Sequence, residues 1–409
     1  MNLYIFNETR RGSIFGIGTY IKELAIALRN SEIHVSIINL MSDDPQIQIN
    51  DINGIKYWNF PKVISENRIL DNQEQRDLYF KNIVYLLKVH IINEEKLIFH
   101  INYHQCANLA IELKRMFDCK IISVAHFSEW GFLIFDNKYQ LEYLLDKNNT
   151  DNFALNLKRS IEEEKKDYLA TDHTICLSNY MQNILYKYYK IELSKISVIH
   201  NGLSNIKNTP IRNNKLRKKW NFQCNEKIIL FVGRLDQVKG IHYLIRAFHK
   251  VLQTISNCHM IIVGNGDYDT FFQEAKNICT KITFTGLLDK SDLYELYQIA
   301  NVGVVPSLFE PFGYVPIEMM MHELPIIATA TSGLNEVVDD SCGIKIPLVT
   351  TDNKVEIDTS LLAEKIIFLL QNPKKAKLLG KNGRKRYLEK YTNEIFKKNM
   401  LTFYKFLWL

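Results

Sequence analysis

Glycine and proline are scarce in this chain, with 17 and 9 residues among 409. That sparsity excludes a collagen-like repeat and leaves no stretch that reads as a long disordered segment. Cysteine is present but unpatterned. Cys106, Cys119, Cys176, Cys224, Cys258, Cys279 and Cys342 form no C-x-x-C pair, and several sit in apolar runs such as "TICLS". This scatter argues against a disulfide framework or a zinc site and suits reduced thiols in a cytoplasm. Long apolar runs are missing as well, since none approaches the roughly 18 residues needed to span a bilayer. The start, "MNLYIFNETRRG", turns polar after six residues and reads as a strand rather than a secretory signal. A peripheral membrane contact stays open.

What is present is an ordinary globular composition, 46% apolar and 23% charged. The length is too great for one core and suits two domains. Charge is unevenly spread. Residues 1–200 hold 23 Lys/Arg against 25 Asp/Glu, and residues 201–409 hold 28 against 20. The excess peaks in "KKAKLLGKNGRKRYLEKY", 374–391. That stretch reads as a solvated helix face or, alternatively, as a surface attracted to anionic lipid or an acidic partner.

Short apolar runs alternate with helical patterns, which predicts parallel sheets built from βαβ units. "NLYIF", "HVSIINL", "LIFHIN", "KIISVAH", "HTICLS" and "KISVIHNG" supply a first series of strands. "KIILFVG", "HMIIVGNG", "ITFTG", "VGVVPS" and "PIIAT" supply a second, with helices expected at 241–253, 269–279, 291–299 and 316–322. The polar stretch within 204–222 has no apolar period and reads as a linker. The expected organisation is α/β: a Rossmann-like domain over 1–203, the linker 204–222, and a second Rossmann-like domain over 223–391. A helix over 392–409 would pack back on the first domain. Two doubly wound sheets facing each other would place ligands at the carboxyl ends of their strands.

The loops after those strands carry the chemistry. Gly16 and Gly18 in "GIGTYIKEL" precede a predicted helix, where a phosphate can approach free N–H groups. A dinucleotide fingerprint would need a third Gly where Ile21 stands, and a plain tight turn is the other reading. In "FVGRLDQVKG", Gly233 and Arg234 follow a strand, and Lys239 stands five residues on. Two cations on one such loop can clamp a diphosphate, unless they are merely solvated loop charges. In "IIVGNGDYD", Gly264 and Gly266 would let a flat base lie on the backbone. Asp267 and Asp269 could hold a divalent metal, but more naturally start the next helix. In "SLFEPFGYVPIEMM", Glu310 precedes a helix start at Phe312, Gly313 and Tyr314, and Glu318 lies about one turn in. A carboxylate there can bind two adjacent hydroxyls, as on a ribose; the alternative reading is that both acids only serve the helix dipole. In "TSGLNEVV", the N–H groups of Gly333, Leu334 and Asn335 could meet phosphate. His126 ends a buried strand in "SVAHFSEWGF", placed either to hydrogen-bond a hydroxyl or as a structural residue. The aromatics that follow, Trp130 and Phe132 among them, read as acceptor contacts in the first domain or as ordinary packing.

Taken together, "SVIHNGL", "FVGRLDQVKG", the Glu310/Glu318 pair, "GIGTYIKEL" and His126 resemble the retaining nucleotide-sugar glycosyltransferases of the GT-B fold, glycosyltransferase family 4. The segment "NLYIFNETRRGSIFGIGTYIKELAIAL" also resembles a bacterial subset linked to modified-peptide biosynthesis. The resemblance implies a hexosyltransferase that moves sugar from a nucleoside-diphosphate donor to a glycan, lipid-linked or peptide acceptor, as in cell-envelope polysaccharide assembly. It implies no metal or other cofactor and no nucleic-acid partner. It points to a cytoplasmic protein, either free or seated peripherally at the inner membrane face. Arg234 and Lys239 would neutralise the leaving diphosphate, Gly233 and Gly264 would line the nucleotide, and Glu318 would take the ribose. Glu310 and the backbone at Phe312, Gly313 and Tyr314 would hold the donor sugar, and His126 would contact it near the anomeric centre. Gly16 and Gly18 would admit phosphate and acceptor. A nucleotide-sugar epimerase and a non-catalytic sugar-nucleotide-binding subunit are the competing readings.

Overall fold

The computed structural model describes residues 1–8, 16–62, 64–65, 68–69, 73–92, 95–206 and 213–409. The chain divides into two compact units. The first comprises Met1–Ser128, Thr150–Ser204 and Asn393–Leu409; the second comprises Glu129–Asn149 and Asn205–Thr392.

The first unit is built on strands β1 (Asn2–Glu8), β2 (His34–Ser42), β3 (Gln48–Ile52) and β4 (Ile55–Pro61), with a separate short pair, β5 (Ile64–Ser65) and β6 (Arg68–Ile69). It continues through β7 (Leu97–Ile101), β8 (Cys119–Ala125), β9 (His173–Cys176) and β10 (Ile196–Val198). The main sheet runs β10-β9-β8-β7-β1-β2-β4-β3, parallel except for β3 against β4. That hairpin is absent from the expected strands, although Asn53-Gly54 is a two-residue turn signal and both residues adopt positive φ, 57° and 81°.

Helix Gly16–Leu28 buries Tyr20, Ile21, Leu24 and Leu28 at the spacing expected of an apolar stripe. Helix Asn393–Phe406 packs on it and buries Phe396, Met400 and Phe403. Glu23 joins the two. Its carboxylate accepts from the Ser204 N–H (2.9 Å) and hydroxyl (2.7 Å), where the chain leaves this unit, and from Asn393 Nδ2 (2.7 Å), where it returns. Burial raises the Glu23 pKa.

His100, fully buried on β7, bridges Tyr20 and Tyr404 at 3.3 and 2.9 Å. Burial pushes its pKa down to about 3. A histidine held neutral in the fold but free to charge when unfolded binds more protons in the unfolded state. Stability is then lost as pH falls below about 6.5, by about 2 kcal/mol at pH 5 for this group. Urea titrations of wild type and His100→Gln between pH 7.5 and 5 should show a shallower acid decline in the variant.

The second unit holds β11 (Lys227–Val232), β12 (Cys258–Val263), β13 (Ile282–Gly286), β14 (Val302–Val305), β15 (Ile326–Thr329) and β16 (Gly343–Ile346), all parallel in the order β13-β12-β11-β14-β15-β16. An antiparallel pair, β17 (Leu348–Thr350) and β18 (Val355–Ile357), follows. The chain builds outward from β11 through β12 to β13, then restarts at β14 on the other side. The carboxyl ends of β11 and β14 therefore flank the point where strand order reverses, the place where open parallel sheets bind ligands.

Three features depart from the sequence reading. Residues 129–149, expected in the first domain, belong to the second unit. There Gly131 lies flat on the Phe309 ring, so that a Cβ would come within 2.3 Å of it, and Asn137 Nδ2 donates to the Thr351 carbonyl at 2.9 Å. The stretch expected as linker contains a helix, Asn213–Lys219, while 207–212 lie outside the described residues. Its Arg217 is buried and donates to the carbonyls of Gln223 (3.1 Å), Glu226 (2.8 Å) and Ile299 (2.8 Å). A guanidinium fork replaces the apolar stripe that periodicity looks for. Arg217→Leu strands those carbonyls and is expected to cost about 3 kcal/mol. Calorimetry should register a drop of roughly 6–12 °C in unfolding temperature.

The third departure is the basic stretch, helix Pro373–Lys390, which is not simply a solvated face. Arg384 donates to the Met321 carbonyl (2.8 Å), and Arg386 to those of Glu336 (2.7 Å) and Val337 (2.8 Å), at the carboxyl ends of neighbouring helices. The lysines at 374, 375, 377, 381, 385 and 390 remain exposed.

Candidate functional site

Three loops of the second unit are bolted together. After β11, Asp236 caps the short turn Gln237–Lys239 by accepting from the Lys239 N–H at 3.1 Å. Gly240 closes that turn with φ 65°, and a Cβ there would lie 1.9 Å from the Pro306 carbonyl oxygen. Only glycine lets the loop after β14 come this close. Leu308 N–H then donates to the Val238 carbonyl at 2.8 Å. The loop after β15 braces the same segment. Thr331 Oγ1 donates to the Leu308 carbonyl (2.9 Å), and the Ser332 hydroxyl both receives the Glu310 N–H and donates to the Glu310 carbonyl, each at 2.9 Å.

This bracing brings Lys239 and Glu310 together. Lys239 Nζ donates to Glu310 Oε2 at 2.6 Å, and each side chain keeps only 17% exposure. Arg234 stands on the same loop, paired with Asp236 at 3.1 Å, its guanidinium 5.9 Å from the centre of the Phe132 ring. Phe132 in turn meets Phe309 edge-on at 5.0 Å. Phe132 is thus part of the wall behind Arg234. Trp130 is fully buried beneath the Lys138 ammonium, 4.8 Å from its ring centre, with no surface to offer an acceptor.

Glu318 is placed differently. It lies inside helix Tyr314–Met321 and is only 2% exposed. Its carboxylate accepts from the Tyr297 hydroxyl at 2.9 Å and pairs with Lys290, both from helix Lys290–Ile299. Burial, with the neighbouring Glu318 carboxylate adding to it, raises the Tyr297 pKa. Phe312 is buried edge-on against Tyr314 and Tyr391, and Gly313, at φ 100°, leads into the helix.

Gly264 has a structural duty that the sequence reading did not anticipate. A Cβ there would sit 1.8 Å from the Gly233 carbonyl oxygen, so the residue is needed for the β11 and β12 exits to pass each other. Asp267 caps helix Tyr268–Glu274 through the Thr270 N–H at 3.1 Å, as helix-start acids do. The N–H groups of Leu334 and Asn335, read as phosphate donors, are instead engaged by the carbonyls of Glu310 (3.1 Å) and Thr331 (3.0 Å). Among the described residues, no three His, Cys, Asp or Glu side chains gather as a metal site.

In the first unit, Gly16 and Gly18 form the opening turn of the helix rather than a loop before it; residues 9–15 lie outside the described residues. His126 follows β8. Its Nε2 lies 3.1 Å from Asn102 Oδ1, while Asn102 Nδ2 donates to the Phe6 carbonyl at 3.2 Å. That orientation makes Oδ1 the acceptor, assigns the proton to Nε2 and leaves Nδ1 to accept. Burial and two neighbouring imidazoles hold the ring neutral, its pKa pushed down to about 3. Residues that the sequence reading missed are Lys290 and Tyr297 under Glu318, Ser332 behind Glu310, and Asn102 beside His126. Only Ser332 carried a signal, since "TSGLN" was already singled out as a site loop.

Two family models cover most of the chain: Glycosyltransferase Family 4 over residues 14–204 and Glycosyl transferases group 1 over residues 212–386. An uncharacterized glycosyltransferase of Methanocaldococcus jannaschii is 32% identical over 182 residues, 42% of this chain and 46% of that protein. The capsular polysaccharide biosynthesis glycosyltransferase CapM of Staphylococcus aureus is 28% identical over 244 residues, 58% and 62% of the two chains. The chain thus spans about half to three-fifths of the length of these curated relatives. Among solved structures, sucrose-phosphate synthase from Thermosynechococcus elongatus superposes with a TM-score of 0.78 at 24% identity, covering 100% and 99% of the two chains. Anabaena HepE, solved with UDP and glucose, gives 0.73 at 16% identity over 98% of each chain. The fold is GT-B, two Rossmann-like parallel-sheet domains, and the chain belongs to glycosyltransferase family 4, within the group 1 glycosyl transferases.

Proposed function

We propose that this glycosyltransferase transfers a hexose-type sugar from a nucleoside-diphosphate donor, with retention of anomeric configuration and without a metal, to a glycan, lipid-linked or peptide acceptor. The observation that carries the reading is the Lys239–Glu310 pair, 2.6 Å apart beside Arg234 at the point where strand order reverses. Two cations there can take the leaving diphosphate, Arg234 through a fork and Lys239 as a point charge. Glu310 and the Gly313 turn would hold sugar hydroxyls. Glu318 would reach the ribose on exchanging its half-exposed Lys290 partner for hydroxyl donors. Neutral His126, accepting at Nδ1, suits a sugar hydroxyl better than proton abstraction. Catalysis is then placement plus charge stabilisation, with the departing phosphate taking the acceptor's proton.

No helix among the described residues is long and apolar enough to cross a membrane. A cytoplasmic enzyme, working at or near the inner membrane face in envelope polysaccharide assembly, is the setting we propose.

A thermal-shift panel of UDP-, GDP- and ADP-sugars tests the donor class. A true donor at 100 times its Kd should add about 2.7 kcal/mol of stability. No response to any nucleotide sugar would overturn the reading. Proton NMR of the first product then reports retention or inversion.

A further inference from the structure

A cavity of about 310 Å³ lies wholly within the first unit, between helix Gly16–Leu28 and one face of the sheet. Three asparagines stand in register across that face: Asn7 on β1 opposite Asn39 on β2, and Asn39 opposite Asn59 on β4. They form a side-chain row, Asn7 Nδ2 donating to Asn39 Oδ1 (2.9 Å) and Asn39 Nδ2 to Asn59 Oδ1 (2.8 Å). The row has an open end. Asn7 is 8% exposed, it lines the cavity, and among the described residues its Oδ1 has no hydrogen-bond partner. A buried amide oxygen left so costs stability unless something donates to it.

The rest of the lining has a consistent character. Ile26, Ile37, Ile52 and Tyr57 give it apolar walls, and two exposed cations line it as well, Lys22 on the helix and Arg29 just past its end, where Arg29 also donates to the Asn53 carbonyl at 3.4 Å. No acid lines it among the described residues. Two acids on the flanking elements are engaged elsewhere: Glu23 on Ser204 and Asn393, and Asp51 on the Gly54 N–H. Ile26 and Ile52 remain 42% and 52% exposed. Gly18, in the helix's opening turn, lines the cavity as well.

We infer that this groove is the acceptor site and that it takes an anionic amphiphile. The acceptor would carry a phosphate-type anion against Lys22 and Arg29, an apolar chain along the isoleucines, and a sugar hydroxyl that donates to Asn7 Oδ1. The word acceptor rests on the glycosyltransferase reading; the binding chemistry does not. The groove selects by charge, tail and hydroxyl together, and a free sugar phosphate satisfies only two of the three.

Calorimetry on the full chain separates these terms with three probes: n-octyl glucoside 6-phosphate, n-octyl glucoside and glucose 6-phosphate. The first should bind at least about 10-fold tighter than either of the others, each lost element being worth on the order of 1.4 kcal/mol or more. The Lys22→Gln/Arg29→Gln double variant alters only exposed side chains and should reduce the phosphorylated amphiphile to the level of octyl glucoside. Asn7→Leu, checked for folding by its melting temperature, should weaken all three probes. Equal affinity for glucose 6-phosphate and its octyl derivative would overturn the amphiphile, and unchanged binding by the double variant would overturn the groove. Nucleotide-sugar affinity, measured alongside, should not move in the double variant. A wild type that ignores nucleotide sugars yet binds the amphiphile would sink the donor reading and leave the groove standing.

Discussion

Replacing Lys239 with alanine is expected to lower kcat/KM by 10²–10³-fold, about 3–4 kcal/mol of transition-state stabilisation, comparable to loss of one preorganised oxyanion donor. The pairing with Glu310 refines the expectation. Before donor binds, Glu310 occupies the ammonium at 2.6 Å, in a place where both groups are largely shielded from water. In the proposed donor site, an incoming diphosphate has to compete with that carboxylate. Glu310→Gln should therefore bind the nucleoside diphosphate several-fold more tightly, because the competing charge is gone, while turning over about 100-fold more slowly if Glu310 holds the sugar as we propose. Opposite movements of product affinity and kcat in a single variant are hard to obtain from simple misfolding. The Lys239→Ala/Glu310→Ala double variant should fall well short of the sum of the singles, since the two residues act as a pair. Product-inhibition constants and single-turnover rates on the three variants check all of this. Additive losses would show that the two side chains work independently.

The second large effect is expected at Glu318. Its carboxylate is almost closed to solvent and holds the buried Tyr297 hydroxyl at 2.9 Å, with Lys290 on the other oxygen. Glu318→Ala strands the phenol and releases the lysine, at a cost of about 3 kcal/mol to folding. Glu318→Gln separates structure from binding. Its amide oxygen can still accept from Tyr297, so most of the stability should return, but an amide is a poor partner for two adjacent hydroxyls. A ribose role then appears as about a 10-fold weaker affinity for the nucleotide sugar in a variant that melts near wild type. A Gln variant with unchanged donor affinity would make Glu318 a framework residue only.

Much of this was legible in the chain. Apolar runs located most strands of both sheets, though not β3, β4 or β16, because buried parallel strands are continuous apolar segments and the loops that leave them are polar. Arg234, Lys239 and Glu310 stood out because charge beside glycine at a strand exit is chemically conspicuous. Other features left no comparable trace. Trp130 and Phe132 look the same in sequence whichever core they join, and it was the fit of Gly131 on Phe309 that placed them in the second unit. The partners of Glu318 come from a helix 28 and 21 residues upstream, where a lysine and a tyrosine look like surface and core. Helix Asn213–Lys219 is held by a guanidinium reaching backbone carbonyls, and hydrophobic periodicity cannot register such an anchor.

The contact between Gly240 and Pro306 bears on how donor preference can be altered. Because the two loops touch at a distance that admits no side chain, neither can be reshaped alone. Ser332 and Thr331 extend the same dependence to the loop after β15. Grafting one segment from a relative with another sugar preference would bring in a backbone path that its neighbours cannot accommodate. The portable part is the trio, about 233–240, 306–313 and 329–334, exchanged as a block. Within that block, side chains such as Arg234 can vary one at a time, whereas the backbone of all three loops must change together or not at all.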